Sequence, residues 1–325
     1  MEETRPAATF SIYGTAESLA FSPDGRMLAA AEVNGWAGRN DWIAPEKGLD
    51  TTIKLRRVPD GAVVRTLRGH TDVVWSVAWS PDGALVASGA RDNTVRLWRV
   101  SDGAAVASWS PPTNREHGPN KGVLSVAFSA DGQLLAGSGV DSVWIWPLSD
   151  RHLMATRPVS SAEVAFSAAG RTVATRGAHS IELWDAADGH VVQSMSDPDA
   201  GLCHLTFNRN ATTIASCERR GGIDLRHVPD GRILRVLNGH PEGTWRLAFG
   251  TNGLLFSGGV DGDRRLPDLA VPISSIRVWR LSDGKLLAIL PSDEGLVYAL
   301  AVSSDGRWLA AGSIGKIALW RVTWS

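Results

Sequence analysis

The sequence predicts an all-β chain of seven similar units, each with four short strands, closed into a ring by a strand near the N-terminus. Two series of signals support this prediction. Turns of the SPDG type, as at residues 80–83, occur seven times, and seven apolar runs of the type VRLWRV, as at residues 95–100, occur in register with them. Apolar alternation between Gly, Pro and Asp clusters is typical of strands joined by tight turns.

The clearest copy of the unit is residues 62–103. It contains the apolar runs VVRTL, VWSVAW, ALVASG and TVRLWRV, which are separated by RGHTD, SPDG and ARDN and followed by SDG. Asp-Gly and Gly supply the positive φ that such turns need. This stretch therefore predicts four strands and the turns that join them.

Four residues of this copy carry a resemblance to a known family. His70, Ser88, Asp92 and Trp98 have the spacing of the structural tetrad of WD-repeat proteins, and the period of about 40–45 residues also fits. The chain therefore resembles the WD-repeat family over essentially its whole length. The resemblance implies a seven-bladed β-propeller, in which these four side chains form a hydrogen-bonded relay that stiffens one blade.

Closure of such a propeller requires a partner for the last unit. Residues 316–322 are followed by only three residues, whereas residues 7–13 precede the first turn without a unit of their own. We therefore expect residues 7–13 to pair with residues 316–322. The whole chain is then one domain with repeats at about residues 14–61, 62–103, 104–150, 151–189, 190–231, 232–284 and 285–325.

Three insertions lengthen the spacing between the SPDG-type turns. They are residues 34–51, 110–121 and 260–275, and antiparallel pairing places all three on one face of the ring. Long loops on a rigid scaffold commonly carry binding functions. In the first insertion, Trp36 and Trp42 either cover the rim or anchor a partner. The third is expected to be a solvated charged loop, since its aspartates lack a complete set of calcium ligands.

The first strand of each repeat is expected to line the central channel. Its opening position lies at the channel mouth on the face that carries the insertions, and the resemblance implies that this ring contacts partners. The residues expected there include Glu17, Trp75, Leu124, Trp245 and Tyr298. The aromatic members either bind a partner or pack between blades. Aromatic side chains give large contact areas with few rotors to immobilise.

One position further along, three repeats carry polar groups that could converge in the channel. These are Glu163, His204 and Arg246. One interpretation is a cluster of ion pairs and hydrogen bonds between blades. The other is a small-ligand or acid–base site, in which Arg246 orients an anion and His204 titrates.

Composition limits the partners and the cellular location. The formal charge of −1 predicts neither nucleic-acid nor membrane binding. The acidic N-terminus and the lack of a long apolar run predict a cytoplasmic chain. Two cysteines, Cys203 and Cys217, are too few for a disulfide framework or a cysteine zinc site, and reduced thiols are expected.

The leading hypothesis is a non-enzymatic scaffold that binds a protein or peptide at the channel mouth. The alternative is an enzyme or a propeller that binds a small molecule, working through Glu163, His204 and Arg246. No nucleophile elbow, phosphate-binding loop, metal-ligand spacing or cofactor motif appears in the sequence, so we expect neither a metal nor a cofactor.

Overall fold

The computed structural model describes residues 5–34, 37–38, 41–42, 50–112, 122–150, 152–158, 163–167, 170–176, 180–196, 204–217, 221–251, 253–266, 269–292 and 295–324. Its strands are β1 (Ala8–Phe21), β2 (Met27–Val33), β3 (Ala37–Gly38), β4 (Asp41–Trp42), β5 (Ile53–Arg57), β6 (Val63–Leu67), β7 (Val74–Trp79), β8 (Leu85–Ala90), β9 (Val95–Arg99), β10 (Ala105–Trp109), β11 (Ser125–Phe128), β12 (Leu134–Ser138), β13 (Ser142–Pro147), β14 (Ala155–Pro158) and β15 (Val164–Phe166). They continue with β16 (Thr172–Arg176), β17 (Ser180–Asp185), β18 (Val191–Ser196), β19 (His204–Phe207), β20 (Thr213–Cys217), β21 (Gly222–His227), β22 (Ile233–Asn238), β23 (Thr244–Phe249), β24 (Leu254–Leu266), β25 (Leu269–Arg280), β26 (Leu286–Ser292), β27 (Ala299–Val302), β28 (Trp308–Gly312) and β29 (Ile314–Arg321). Within these ranges no helix is long and apolar enough to cross a membrane.

The turn between β7 and β8 shows why the strands reverse where they do. The Ser80 hydroxyl donates to Asp82 Oδ1 at 2.5 Å, and the same oxygen accepts the Ala84 N–H at 3.0 Å. Gly83, at φ +72°, donates its N–H to the Ser80 carbonyl at 2.9 Å. A glycine reaches this φ without the steric cost of a Cβ. The residues of the turn therefore satisfy its polar groups locally.

The described strands form five four-stranded blades, and the prediction of seven is wrong in this count. The five blades are β7–β10, β11–β14, β15–β18, β19–β22 and β23–β26, each with antiparallel neighbours in chain order. The remaining long strands form one seven-stranded sheet in the order β27-β28-β29-β1-β2-β5-β6. Each blade ends with the strand that opens the next predicted repeat, as β10 does. Counted with that strand, repeats two to six have a blade each, whereas repeats one and seven share a sheet.

Repeats one and seven share a sheet because β1 runs without interruption from Ala8 to Phe21. Its first part pairs with β29, from Ala8 opposite Leu319 to Ser11 opposite Lys316, so the pairing expected between residues 7–13 and 316–322 is present. Its second part pairs with β2. Gly14 lies between the two parts at φ +105°, and a Cβ there would lie 1.8 Å from the Val33 carbonyl oxygen.

The apolar core lies between repeats rather than inside them. Each buried cluster draws its side chains from two consecutive repeats, because a single four-stranded sheet leaves both of its faces apolar. One cluster joins repeat seven to repeat one through Leu319 and Leu28. Another contains Phe256 of repeat six and Trp324, whose rings meet edge to face. The repeats therefore pack into a closed ring.

The third insertion is a β-hairpin, and the prediction of a charged loop at residues 260–275 is wrong. Strands β24 and β25 remain paired beyond the end of their blade, from Gly262 opposite Ile273 to Leu266 opposite Leu269. Gly, Pro and Asp favour turns locally, but cross-strand pairing overrides that preference here. In the first insertion, β3 and β4 pair with each other. Residues 113–121 of the second lie outside the described ranges.

Candidate channel mouth and its supporting network

The face of the ring that carries the insertions is called the insertion face. At this face, loops connect the second strand of a blade to its third strand, and the fourth strand to the first strand of the next blade. The first strand of each repeat begins at this end. The residues placed at these openings are Glu17, Trp75, Leu124, Trp245 and Tyr298, and all five are partly exposed.

Three of these mouth residues lie at β-bulges, which the sequence does not indicate. Val74 and Ser76 pair with consecutive residues of β8, so Trp75 is the extra residue of a β-bulge. Trp245 and Glu17 are the extra residues at the same kind of register shift in β23 and β1. A bulge re-aims the extra side chain. The same local geometry therefore presents a tryptophan, a tryptophan and a glutamate in repeats two, six and one.

The described aromatic residues of the mouth lie within one run of four repeats around the ring. Trp245 is in repeat six, Tyr298 is in repeat seven and Trp75 is in repeat two, with Glu17 of repeat one between the last two. Tyr13, on β1 just before Glu17, is 80% exposed. Both tyrosines of the chain are therefore near the insertion face. Sequence reasoning missed Tyr13 because it was assigned only to the closing strand.

Arg246 donates hydrogen bonds to the backbone carbonyls of two aromatic residues at the channel mouth. Its Nε hydrogen is donated to the Tyr298 carbonyl at 2.6 Å, and Nη1 donates to the Trp245 carbonyl at 3.0 Å. A guanidinium has its donors in a rigid fork, so two such bonds fix the relative positions of their acceptors. Arg246 thus ties repeat six to repeat seven at the depth of the mouth.

The position after each mouth residue forms a hydrogen bond to the next repeat. In four successive repeats its side-chain oxygen accepts a backbone N–H from the neighbouring first strand. The pairs are Ser18 with Val77 (3.1 Å), Ser76 with Val126 (3.1 Å), Ser125 with Val164 (3.5 Å) and Glu163 with Leu205 (2.7 Å). Glu163 therefore occupies the place that serine has in the three preceding repeats.

Glu163 and His204 are brought together, with Glu163 Oε1 lying 3.6 Å from His204 Nε2. Burial, together with the charges of Arg246 and Arg176, lowers the pKa of His204 from 6.5 to about 3. The imidazole is therefore neutral at physiological pH. A base with so low a pKa is poorly matched to proton abstraction near neutrality.

Glu17 is the acidic member of the mouth. Its Oε1 accepts the Thr15 hydroxyl hydrogen at 2.7 Å. Burial raises the pKa of the Glu17 carboxyl above its ordinary value, although the Thr15 hydrogen bond and the charge of Arg246 act in the opposite direction. The hydrogen bond and the nearby positive charge therefore do not fully offset the cost of burying the charged carboxylate.

In repeat two, the four residues matched to the tetrad form one chain of hydrogen bonds. His70 Nδ1 lies 2.8 Å from Asp92 Oδ2, and His70 Nε2 lies 2.7 Å from the Ser88 hydroxyl. Trp98 donates its indole N–H to the same hydroxyl at 2.8 Å. All of these groups are fixed by buried partners, so they are not arranged to meet a ligand.

Repeat six contains an equivalent relay. His240 lies 3.1 Å from Asp261 and 3.0 Å from the Ser257 hydroxyl, which accepts the Trp279 indole hydrogen at 2.9 Å. Arg277 also donates to Asp261, at 2.8 Å. Asp261 therefore belongs to a structural relay, although it lies at the start of the third insertion.

Repeats one and five replace the tryptophan of the relay with a buried ion pair. Arg56 Nη2 lies 2.6 Å from Glu32, and Arg226 Nη2 lies 2.8 Å from Asp224. Each buried arginine is thus paired with a buried acid, beside the apolar clusters that also hold these repeats.

The other predicted site residues are placed as follows. Trp36 and Cys203 lie outside the described residues, and Trp42 contributes its backbone to β4, paired with Ala37. Cys217 is buried, its thiol donates to the His204 carbonyl at 3.6 Å, and it lies opposite His204 across β19 and β20. Within the described residues, no group of three or more His, Cys, Asp or Glu side chains is arranged to hold a metal ion.

The fold and these relays define a class, the all-β repeat proteins of the propeller type. The family model described as "WD domain, G-beta repeat" matches residues 61–99, 110–146 and 284–321. Three of the repeats in this chain are therefore similar to the repeats of the WD-repeat family.

Curated relatives resemble parts of the chain. "Protein CIA1" of Arabidopsis thaliana is 43% identical over 91 residues, which are 26% of this chain and 25% of that protein. "Eukaryotic translation initiation factor 3 subunit I" of Aspergillus fumigatus is 41% identical over 76 residues, 23% and 20% of the two chains. An uncharacterized WD repeat-containing protein of Synechocystis is 35% identical over 122 residues, 37% and 28% of the two chains. These matches span between a fifth and about a quarter of each relative.

Proposed function

We propose that this protein is a non-enzymatic scaffold that recognises a protein or peptide partner at the channel mouth on the insertion face. One observation carries the proposal: Trp245, Tyr298 and Trp75 are partly exposed at equivalent positions, and two of them are bulged out of their ladders. Aromatic anchors dominate the energy of many interfaces. Leu124 is included in this surface, and the register of the sequence adds Trp36 and Trp42 of the first insertion to the proposal.

The relatives give coarser support for a role in protein assemblies. One is named as a subunit of a translation initiation factor. Another, from Malassezia globosa, is named "Probable cytosolic iron-sulfur protein assembly protein 1". We propose by analogy that this chain also works with protein partners and in the cytoplasm. Fold and partial similarity alone do not specify the partner.

The rival function, a small-ligand or acid–base site at Glu163, His204 and Arg246, has less support. Glu163 accepts the Leu205 N–H and Arg246 donates to two carbonyls, so both serve contacts between repeats. His204 is too weak a base for catalysis near neutral pH. We therefore assign the three residues a structural role in the channel.

Affinity capture with quantitative mass spectrometry tests the proposed function. Immobilised wild type should retain partners that Trp75→Ala/Trp245→Ala loses. Trp308→Ala is the matched control, because Trp308 is also partly exposed but lies at the opposite end of its repeat. Undiminished recovery by the double variant, with its fold verified by thermal melting, would count against the proposal.

A further inference from the structure

Glu17 differs from the other described mouth residues in carrying a charge. It lies on β1, which packs beside β7 of repeat two and β27 of repeat seven. Trp75 occupies the equivalent position in repeat two, and Tyr298 occupies it in repeat seven. The bulge at Glu17 matches the bulge at Trp75, so the carboxylate is presented in the same way as an aromatic anchor.

The Glu17 carboxylate retains capacity to accept hydrogen bonds. One oxygen accepts from Thr15, and the other has no hydrogen-bond partner among the described residues. The residue is partly exposed, so a group in the channel mouth can reach it. A carboxylate can accept several hydrogen bonds, and one held in a partly desolvated site gains strongly from a new donor.

Arg246 is the basic group that acts on Glu17, and it does so without a hydrogen bond. Its Nε and Nη1 donate to the carbonyls of Tyr298 and Trp245. The hydrogen bonds of Arg246 therefore go to the backbone, and the Glu17 carboxylate keeps an oxygen that a donor from a partner can reach.

The surroundings of Glu17 indicate the chemistry of that cation. Aromatic rings attract cations through their faces, and a carboxylate adds a charge-assisted hydrogen bond. A calcium ion requires six to eight oxygen ligands, whereas Glu17 belongs to no metal-binding group among the described residues. An ammonium or guanidinium group needs far fewer partners, and its aliphatic stem can pack against the aromatic neighbours.

We propose that Glu17 is the recognition site for a lysine or arginine side chain of the polypeptide partner that binds the insertion face. This inference rests on the proposed function and adds that the partner residue recognised by Glu17 is positively charged. Trp75 and Tyr298 flank the basic side chain, and Glu17 pairs with its charged end.

The test is selection from a random peptide display library on wild type, Glu17→Gln and Glu242→Gln. Glutamine retains an oxygen that can accept from Thr15, so the fold should persist, and melting curves check this. Glu242 is the control, because it is an exposed carboxylate on the same face, in the loop that leads into β23 rather than at a mouth position. Wild type and Glu242→Gln should enrich peptides with a basic residue at a fixed distance from an apolar one.

The selected peptide is then synthesised with its basic residue or with norleucine in that place, and binding is measured by calorimetry. Loss of either Glu17 or the basic residue should weaken binding about tenfold or more, the size expected for one charge-assisted hydrogen bond. Loss of both should cost little beyond either single change. Equal basic enrichment on Glu17→Gln would overturn the proposal.

Other results separate this proposal from the proposed function. Selection of apolar peptides with no basic preference would refute the role of Glu17 and leave the scaffold function standing. Failure of wild type to select any peptide would count against both.

Discussion

Arg56 donates its Nε hydrogen to Glu32 at 2.7 Å inside repeat one, at a position where five other repeats have tryptophan. The Glu32 side chain is 1% exposed and also pairs with Lys54 at 2.8 Å. Repeat five contains the corresponding pair between Arg226 and Asp224. Two kinds of polar core therefore coexist in one ring, a hydrogen-bonded relay through tryptophan and an ion pair through arginine.

Removing the acid from repeat one should be costly. We expect Glu32→Gln to lower the free energy of unfolding by about 3–5 kcal/mol, because it leaves a buried arginine uncompensated. Urea denaturation measures the change. In the double variant Glu32→Gln/Arg56→Met, part of the loss should be recovered, because the unpaired charge is gone. Additive losses from the two single changes would contradict a coupled pair.

Two buried serines make a matched test of the tetrad. Ser88 holds both His70 and Trp98, whereas the hydroxyl of Ser138 in repeat three has no hydrogen-bond partner among the described residues. Ser88→Ala should cost about 2 kcal/mol or more, because it leaves two buried groups without a partner. Ser138→Ala should change stability by less than about 0.5 kcal/mol. Equal losses in chemical denaturation would show that the relay does not stabilise repeat two.

Removal of the closing strand should open the ring. Deleting residues 1–14 removes the pairing of β1 with β29 from Ala8 to Ser11. We expect the melting temperature to fall by about 10 °C, since each kcal/mol lost shifts melting by a few degrees. A synthetic peptide of residues 5–14 should restore part of the loss. An unchanged melting curve would refute closure through this strand.

Lowering the pH should destabilise the folded protein, because protonation of the buried His204 is unfavourable. Its pKa is lowered from 6.5 to about 3 in the folded state, so its contribution to stability is complete above pH 6.5 and is lost as the pH falls toward 3. Relative to His204→Gln, wild type should lose at most about 1.4 kcal/mol per pH unit between pH 6.5 and 4.5. The exposed His152, changed to Gln, is the control. A constant difference between wild type and His204→Gln across this range would contradict a neutral His204.

The parts of the fold that depend on local chemistry could be predicted from the sequence. Serine, aspartate and glycine at residues 80–83 satisfy their turn among themselves, so the repeat is visible without tertiary information. The shared sheet was not visible, because Gly14 was taken as a boundary between two strands. Its positive φ instead allows β1 to continue.

The site could be predicted less well, since its geometry depends on pairing between strands. Register alone placed Trp75 and Trp245 at the mouth, but a bulge depends on two strands together and has no local signature here. The Glu32–Arg56 pair joins residues 24 positions apart. Likewise, the sequence suggests that Arg246 orients an anion. In the structure, Arg246 instead donates to a backbone carbonyl of the neighbouring repeat, which the sequence does not reveal.

The sheet that joins β1 to β29 also sets the order of events during synthesis. Residues 8–11 leave the ribosome long before their partners at residues 316–319 are made. Until then, one edge of β1 has no strand beside it, and unpaired edges promote aggregation. The ring can therefore be completed only after translation has passed residue 319, and a nascent chain stalled earlier would be a natural client for a chaperone.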